Sequence, residues 1–255
     1  DTESGYRQTI ASGDFGFDHW VSPDAFLGFA GSFSHANYDA TYSDIKTNGA
    51  SVSVSGGAAL EFGLESSVFA AFGYNRHRQE RLVDSVKYRA DTFNSRNWSL
   101  GIDNSLVIIE DDNSSTRLFA NYDYQNIGVD GWNEAVSQGP MALAMGRQNL
   151  DLHRLWLGLG YDLNYSESTL ISLQGYYAGY FGDRQGMAAG QLLGAPIGQR
   201  DFVNSSDPVA RDHVGASVLL DYSINQNITL NAGYTFQMAR KTRAMRGDLG
   251  LRVIF

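Results

Sequence analysis

Apolar and polar residues alternate one by one along most of this chain, and that period constrains its fold more than any other feature of the sequence. From Asn227 to Gln237, Ile228, Leu230, Ala232, Tyr234 and Phe236 fall on one side, and Asn227, Thr229, Asn231, Gly233, Thr235 and Gln237 on the other. Side chains of an extended strand point to two faces in turn, so a period of two predicts a strand with one apolar face. The segment before it sets Val214, Ala216, Val218, Leu220, Tyr222 and Ile224 against His213, Gly215, Ser217 and Asp221, with Leu219 the one exception. Arg154 to Leu163 sets Leu155, Leu157, Leu159, Tyr161 and Leu163 against Arg154, Gly158, Gly160 and Asp162. Thr116 to Gln125 sets Leu118, Ala120, Tyr122 and Tyr124 against Arg117, Asn121 and Asp123. Trp156 and Phe119 break the pattern in these two segments.

The same period predicts strands over Gly5–Val21, Ala25–Ala36, Gly49–Phe62, Ser67–Arg76, Phe93–Ile109, Ser115–Ile127, Gln148–Leu163, Thr169–Gly182, Arg211–Ile224, Ile228–Met238 and Arg246–Phe255. A tilted strand needs about 9–11 residues to cross the hydrocarbon of a bilayer, and most of these segments are that long or longer. Short connections (22–24, 63–66, 111–114, 165–168, 225–227) are expected to alternate with long ones (37–48, 78–92, 128–147, 183–210). Short turns at one end and long loops at the other are the asymmetry of outer-membrane barrels. All four prolines (Pro23, Pro140, Pro196, Pro208) fall in connections, where no ladder hydrogen bond is lost.

Residue size decides which face is inside. The polar face is mostly Gly, Ser, Asn, Asp and Thr, too small and hydrophilic for a packed core, whereas the apolar face is large and aromatic. A soluble sandwich or lipocalin-like barrel has the reverse arrangement. No run of about 18 apolar residues exists to form a transmembrane helix. The expected fold is all-β: a transmembrane, antiparallel, up-and-down β-barrel, one domain over residues 1–255. About eleven strands are visible, and closed barrels of this type have even counts. A further strand is therefore expected upstream or in a partner segment, giving about 12 in the parent. The start, Asp1-Thr2-Glu3-Ser4, has neither basic residues nor an apolar segment, so no signal peptide is expected within the chain. A formal charge of -9 argues against nucleic acid as a partner. The absence of cysteine suits an oxidising envelope.

The chain resembles the autotransporter β-domain, the translocator of type V secretion. The resemblance runs over essentially its whole length. It is carried by Gly13-Asp14-Phe15-Gly16-Phe17-Asp18 entering a short turn, Phe26-Leu27-Gly28-Phe29-Ala30-Gly31-Ser32-Phe33-Ser34, Phe72-Gly73-Tyr74-Asn75, and Gly250-Leu251-Arg252-Val253-Ile254-Phe255 at the end. It implies a 12-stranded barrel in the bacterial outer membrane, short turns periplasmic and long loops extracellular. A linker helix in the lumen would join an upstream passenger that the barrel anchors and helps export. The partners implied are outer-membrane lipid, the passenger or linker helix, and the outer-membrane assembly machinery; the barrel is expected to be a monomer and not an enzyme, with no cofactor. Leu249, Leu251, Val253 and Phe255 share one face and are similar to the C-terminal assembly signal, although Val253 stands where many relatives carry Tyr.

Parity places Asp18, Glu61, Asp103, Asp162 and Asp221 on the lumen face before the short turns, an expected partial acidic ring, with Arg117 and Arg252 as basic residues on the same face. Such a ring could hold cations of a luminal helix or bias a pore toward cations, although a lumen must in any case be polar. Asp151-Leu152-His153 would suit a protease, but parity turns both residues outward with Leu155 and Leu157. The remaining histidines match no metal motif, and Gly-x-Ser-x-Gly is absent, so no catalytic, metal or cofactor-binding residue is nominated. Trp20, Phe26, Tyr74, Trp98, Tyr122, Tyr177 and Tyr234 are expected near strand ends or on the outward face as interfacial girdles. Segments 139–146 and 186–193 are apolar where exposed loops are usually polar. Folding over the mouth, short helices and contact with a passenger all remain open for them. The rival functions are a free-standing porin-like channel and, more remotely, an outer-membrane hydrolase.

Overall fold

The structure is a computed structural model that describes residues 6–196, 200–205, 208–240 and 242–253. Its wall consists of β1 (Tyr6–Ser22), β2 (Ala25–Ala40), β3 (Ser43–Ala59), β4 (Leu64–Val83), β6 (Phe93–Asp111), β7 (Ser114–Val129), β10 (Gln148–Ser166), β11 (Thr169–Gly182), β14 (Asp212–Asn225), β15 (Ile228–Ala239) and β16 (Arg243–Val253). These pair antiparallel in chain order, each with its sequence neighbour in the wall, and the sheet curls into a half-barrel. A short β5 (Val86–Arg89) folds back on β4. The expected all-β, up-and-down architecture is what the chain adopts.

The apolar side is the outer one. Leu157, Val218 and Tyr234 are 45%, 46% and 50% exposed instead of converging on a dry centre, as a soluble barrel would require. Residues of the opposite parity point to the concave side: Asp103 of β6 and Trp156 of β10, for example, line one internal cavity with residues of β2, β3 and β4.

Two of the four expected long loops are not loops. β2 and β3 continue to a two-residue turn at 41–42, with Ala40 opposite Ser43. β4 and β5 meet at Asp84 and Ser85, both at positive φ (48° and 68°), the conformation of a tight hairpin turn. Here the strands run on past the membrane, and the alternation that marked them in lipid no longer has to be apolar on one side. The asymmetry between the two ends therefore rests on 130–147 and 183–211. At the short-turn end, β3 stops at Ala59 and Glu61 enters a single 3-10 turn with Phe62 and Gly63. Glu61 thus leaves the strand in which parity had placed it, and its side chain lies outside what the structure describes.

The two apolar segments become strands that find each other. β8 (Trp132–Asn133), β9 (Leu143–Met145), β12 (Met187–Leu192) and β13 (Asp201–Ser205) form a second sheet in the order β13-β12-β9-β8. Leu143, Ala144 and Met145 pair with Leu192, Gln191 and Gly190. Pairing satisfies the backbone groups of two apolar segments that would otherwise be bare in water.

Candidate functional site

The concave face is the candidate site, together with the cap above its long-loop end. Small side chains dominate the wall on β3 (Ser51, Ser53, Ser55, Gly57), which leaves room inside. The residues that broke the alternation fill part of that room. Phe119 of β7 and Tyr176 and Ala178 of β11 are buried together, with Trp156 and Tyr180 packed against them. Trp156 stacks on Tyr176 at 5.0 Å between ring centroids, nearly parallel. Arg154 lies 4.5 Å above the Trp156 ring and is held 2.8 Å from the Asp123 carboxylate directly opposite on β7. Cation, carboxylate and aromatic rings thus form one inward-facing group at mid-wall. The indole Nε1 of Trp156 is buried and has no hydrogen-bond partner among the described residues.

Toward the short turns a cavity of about 430 Å³ opens between this group and the opposite wall, lined by Trp20, Phe26, Ser67, Asp103, Arg117 and Asn121 among others. Trp20 and Phe26 pack on each other at 5.7 Å in this lining, so they face inward and are not outer girdle residues. Tyr74, Trp98, Tyr122, Tyr177 and Tyr234 are exposed on the outer face, where girdle residues belong.

The structure brings together part of the expected acidic ring. Asp162 is paired with Arg117 at 3.1 Å, and Asp103 shares the cavity wall with Arg117. Asp18 turns inward on β1, crowding the space above Gly28 beside Ser55. Asp221, opposite Asn231, and Arg252, opposite Thr229, sit at the inward register of β14 and β16. Neither makes an ion pair among the described residues. Leu249, Leu251 and Val253 are exposed on the outer face of β16, and Phe255 lies outside the described residues. Asp151 and His153 point outward, bonded to Tyr124 and Tyr122 respectively, and not into a cleft. Among the described residues no cluster of His, Cys, Asp or Glu could hold a metal ion.

Asp123 and Arg154 were each placeable on the polar face by parity. Their mutual pairing required the register of β7 against β10, which a sequence does not display.

The cap is fastened to the wall by a second group. Arg81, on the same face of β4 as His77 and Gln79, makes paired hydrogen bonds to both carboxylate oxygens of Glu134, at 2.7 Å each. The Arg81 guanidinium also lies 4.8 Å over the ring of Tyr88, which is almost wholly buried. Glu134 accepts a further bond from the Leu143 amide, and Phe93 stacks on Trp132. Because Arg81 and Phe93 share the inward parity of their strands, the cap is rooted on the concave side of the mouth.

A curved antiparallel sheet with an apolar outer face, an aromatic belt and a polar, partly filled interior defines a membrane-spanning outer-membrane β-barrel. Residues 1–235 match the family model described as the autotransporter beta-domain. The chain belongs to that family of type V secretion translocators, a transport domain of the bacterial outer membrane. Among solved structures it is similar to the translocator domain of autotransporter NalP from Neisseria meningitidis, with a TM-score of 0.79 at 10% identity over 100% of this chain and 83% of that one. The transport unit of the autotransporter AIDA-I from Escherichia coli gives 0.59 at 14% identity, covering 98% and 83%. The Pseudomonas putida toluene transporter TodX gives 0.58 at 12% identity, covering 98% and 78%, a likeness of fold alone. Comparison with curated proteins finds no match.

Proposed function

We propose that this barrel anchors an N-terminal passenger in the outer membrane and helps carry it to the cell surface as a monomer, with a linker helix in the lumen. The observation that carries this reading is the family match over residues 1–235. The interior supports it: the unpartnered Trp156 Nε1 and the cavity beside it offer a donor and a space to a luminal segment. So does the sheet. Among the described residues β1 pairs with β2 alone and β16 with β15 alone, and the eleven alternating wall strands leave these two edges running in the same direction. Antiparallel closure then takes one more strand, which an upstream segment of the parent would supply.

In this reading the short turns are periplasmic and the cap is extracellular. Asp18, Asp103 and Asp221 meet basic residues of the luminal helix, while Asp162 is held by Arg117 and Arg252 adds a cation on the same face. Leu249, Leu251, Val253 and Phe255 are read by the assembly machinery. A reporter domain fused ahead of the linker helix and closing strand in the full-length protein tests it. Protease should remove the reporter from intact cells, and deleting Phe255 should lower membrane insertion. A reporter that stays protected while the barrel inserts and conducts ions would favour the free-standing channel.

A further inference from the structure

Five cations gather on the outer face just beyond the apolar band at the long-loop end. On β3, β4 and β6 that band is Val52, Val54, Val68, Phe72, Leu100 and Ile102, all exposed. Tyr74 and Trp98 follow, with Trp98 edge-on to Tyr124 at 4.9 Å, the aromatic belt that marks a lipid–water interface. Continuing outward on the same face, Lys46 stands opposite Arg78, and Arg96 stands opposite Tyr74, next to Arg76. The Arg147 guanidinium reaches to 3.8 Å from the position a Cβ on Gly128 would take, and Gly128 is the register partner of Arg96. All five side chains are exposed, and among the described residues none is paired with an acid. Of the acids on that face, Glu80 is occupied by Lys87 and Arg89, Asp39 and Asp44 face each other farther out, and Asp151 is held by Tyr124 and Asn126.

We propose that this patch binds the phosphorylated headgroup of an outer-leaflet glycolipid. The inference rests on the extracellular placement of the long-loop end given above. Like charges facing each other across a ladder are destabilising, and a chain of net charge -9 that concentrates five unpaired cations here needs anions to face them. Arginine forks match phosphate oxygens two at a time. Tyr74 to Arg76 is two residues and Tyr74 to Arg78 is four, so the cations stand about 7–14 Å along the strand beyond the belt, at headgroup depth. The patch crosses β3, β4, β6 and β7, about 15 Å of wall, enough for a headgroup bearing two phosphates. Only an amphiphile meets both parts of the surface, acyl chains on the apolar band and phosphates on the cations.

Native mass spectrometry of the purified protein with doubly phosphorylated lipid A tests the proposal, with dephosphorylated lipid A and inorganic phosphate as further arms. The R76Q/R78Q/R96Q variant should bind phosphorylated lipid A about tenfold or more weakly, as expected for several lost charge-assisted contacts. Dephosphorylated lipid A should bind the wild type equally weakly, and inorganic phosphate should not displace the glycolipid. The R246Q variant, which removes a cation at the inward register of β16, should bind as wild type does. Equal binding by wild type and triple variant, indifference to the phosphates, or full displacement by inorganic phosphate would each overturn the proposal. If the triple variant does not fold, judged by its heat-dependent gel mobility, the dephosphorylated arm and R96Q alone decide. Passenger display scored in parallel separates the two readings: normal display without phosphate-dependent binding sinks this inference and leaves export standing.

Discussion

Arg81 and Glu134, 53 residues apart, form a two-pronged ion pair in which the Glu134 side chain is wholly excluded from solvent. The pair joins a strand of the wall to the cap, in which the 130–147 connection meets the 183–211 connection as a sheet.

Removing one partner of a buried pair leaves an uncompensated charge and costs about 3–5 kcal/mol. Glu134→Ala should therefore loosen the cap while the wall persists, because the loss also strips the Leu143 amide of its acceptor. Limited proteolysis should cut 139–146 and 186–193 in the variant and spare them in the wild type. Identical protection of both segments would show that the pair does not hold the cap.

Asp103 and Asp162 should both contribute to ion selectivity, but only Asp162 through a paired cation. Asp162 is neutralised by Arg117, so D162N frees a cation inside the lumen and should move selectivity toward anions. D103N removes an acid that has no ion-pair partner among the described residues, and it should weaken cation preference by a similar amount, since each variant removes one negative charge. Only D162N strips a cation of its partner, so adding Arg117→Gln to D162N should restore wild-type selectivity in reversal potentials across a salt gradient, and failure to restore it would contradict the pairing.

The two faces should respond oppositely to the same new charge. Leu157→Arg puts a cation on the lipid side near mid-strand, which costs about 2–4 kcal/mol at the bilayer midplane. Ser217→Arg, on the inward register of β14, should cost far less. Denaturant unfolding in lipid vesicles measures both.

Glu80 lies past the apolar band on β4, in the hairpin with β5. The hydrogen bond from Lys87, aided by the charges of Lys87 and Arg89 and opposed by partial desolvation, holds its carboxyl below the ordinary glutamate value. A lowered folded-state pKa means that the contribution is whole above the unfolded value of about 4.3 and is lost as pH falls through the lower folded value. Amide exchange over 79–90 should accelerate across that acidic window, and Glu80→Gln should remove the dependence.

Local chemistry carried most of the architecture. A period of two with large apolar and small polar faces specifies strands and tells which face meets lipid, because each residue's direction depends only on its own position along the strand. That is why the β10, β14 and β15 faces were legible, as was the outward turn of Asp151 and His153. Three things escaped that logic. Trp156 and Phe119 looked like faults in the pattern until β7, β10 and β11 curved around them and made a shared inner cluster. The 37–48 and 78–92 segments looked like loops because strands beyond the bilayer no longer need an apolar side. The apolar segments 139–146 and 186–193 had no visible partner until tertiary contact made each the other's strand.

The sequence by itself determined an inside-out β-barrel wall, since alternation and residue size act within each strand and need no knowledge of neighbours. Tertiary structure alone decided which side chains meet: Arg154 with Asp123, Arg117 with Asp162, Arg81 with Glu134. Those pairings depend on strand register and on the curvature of the sheet, properties of many residues acting together that no local period encodes.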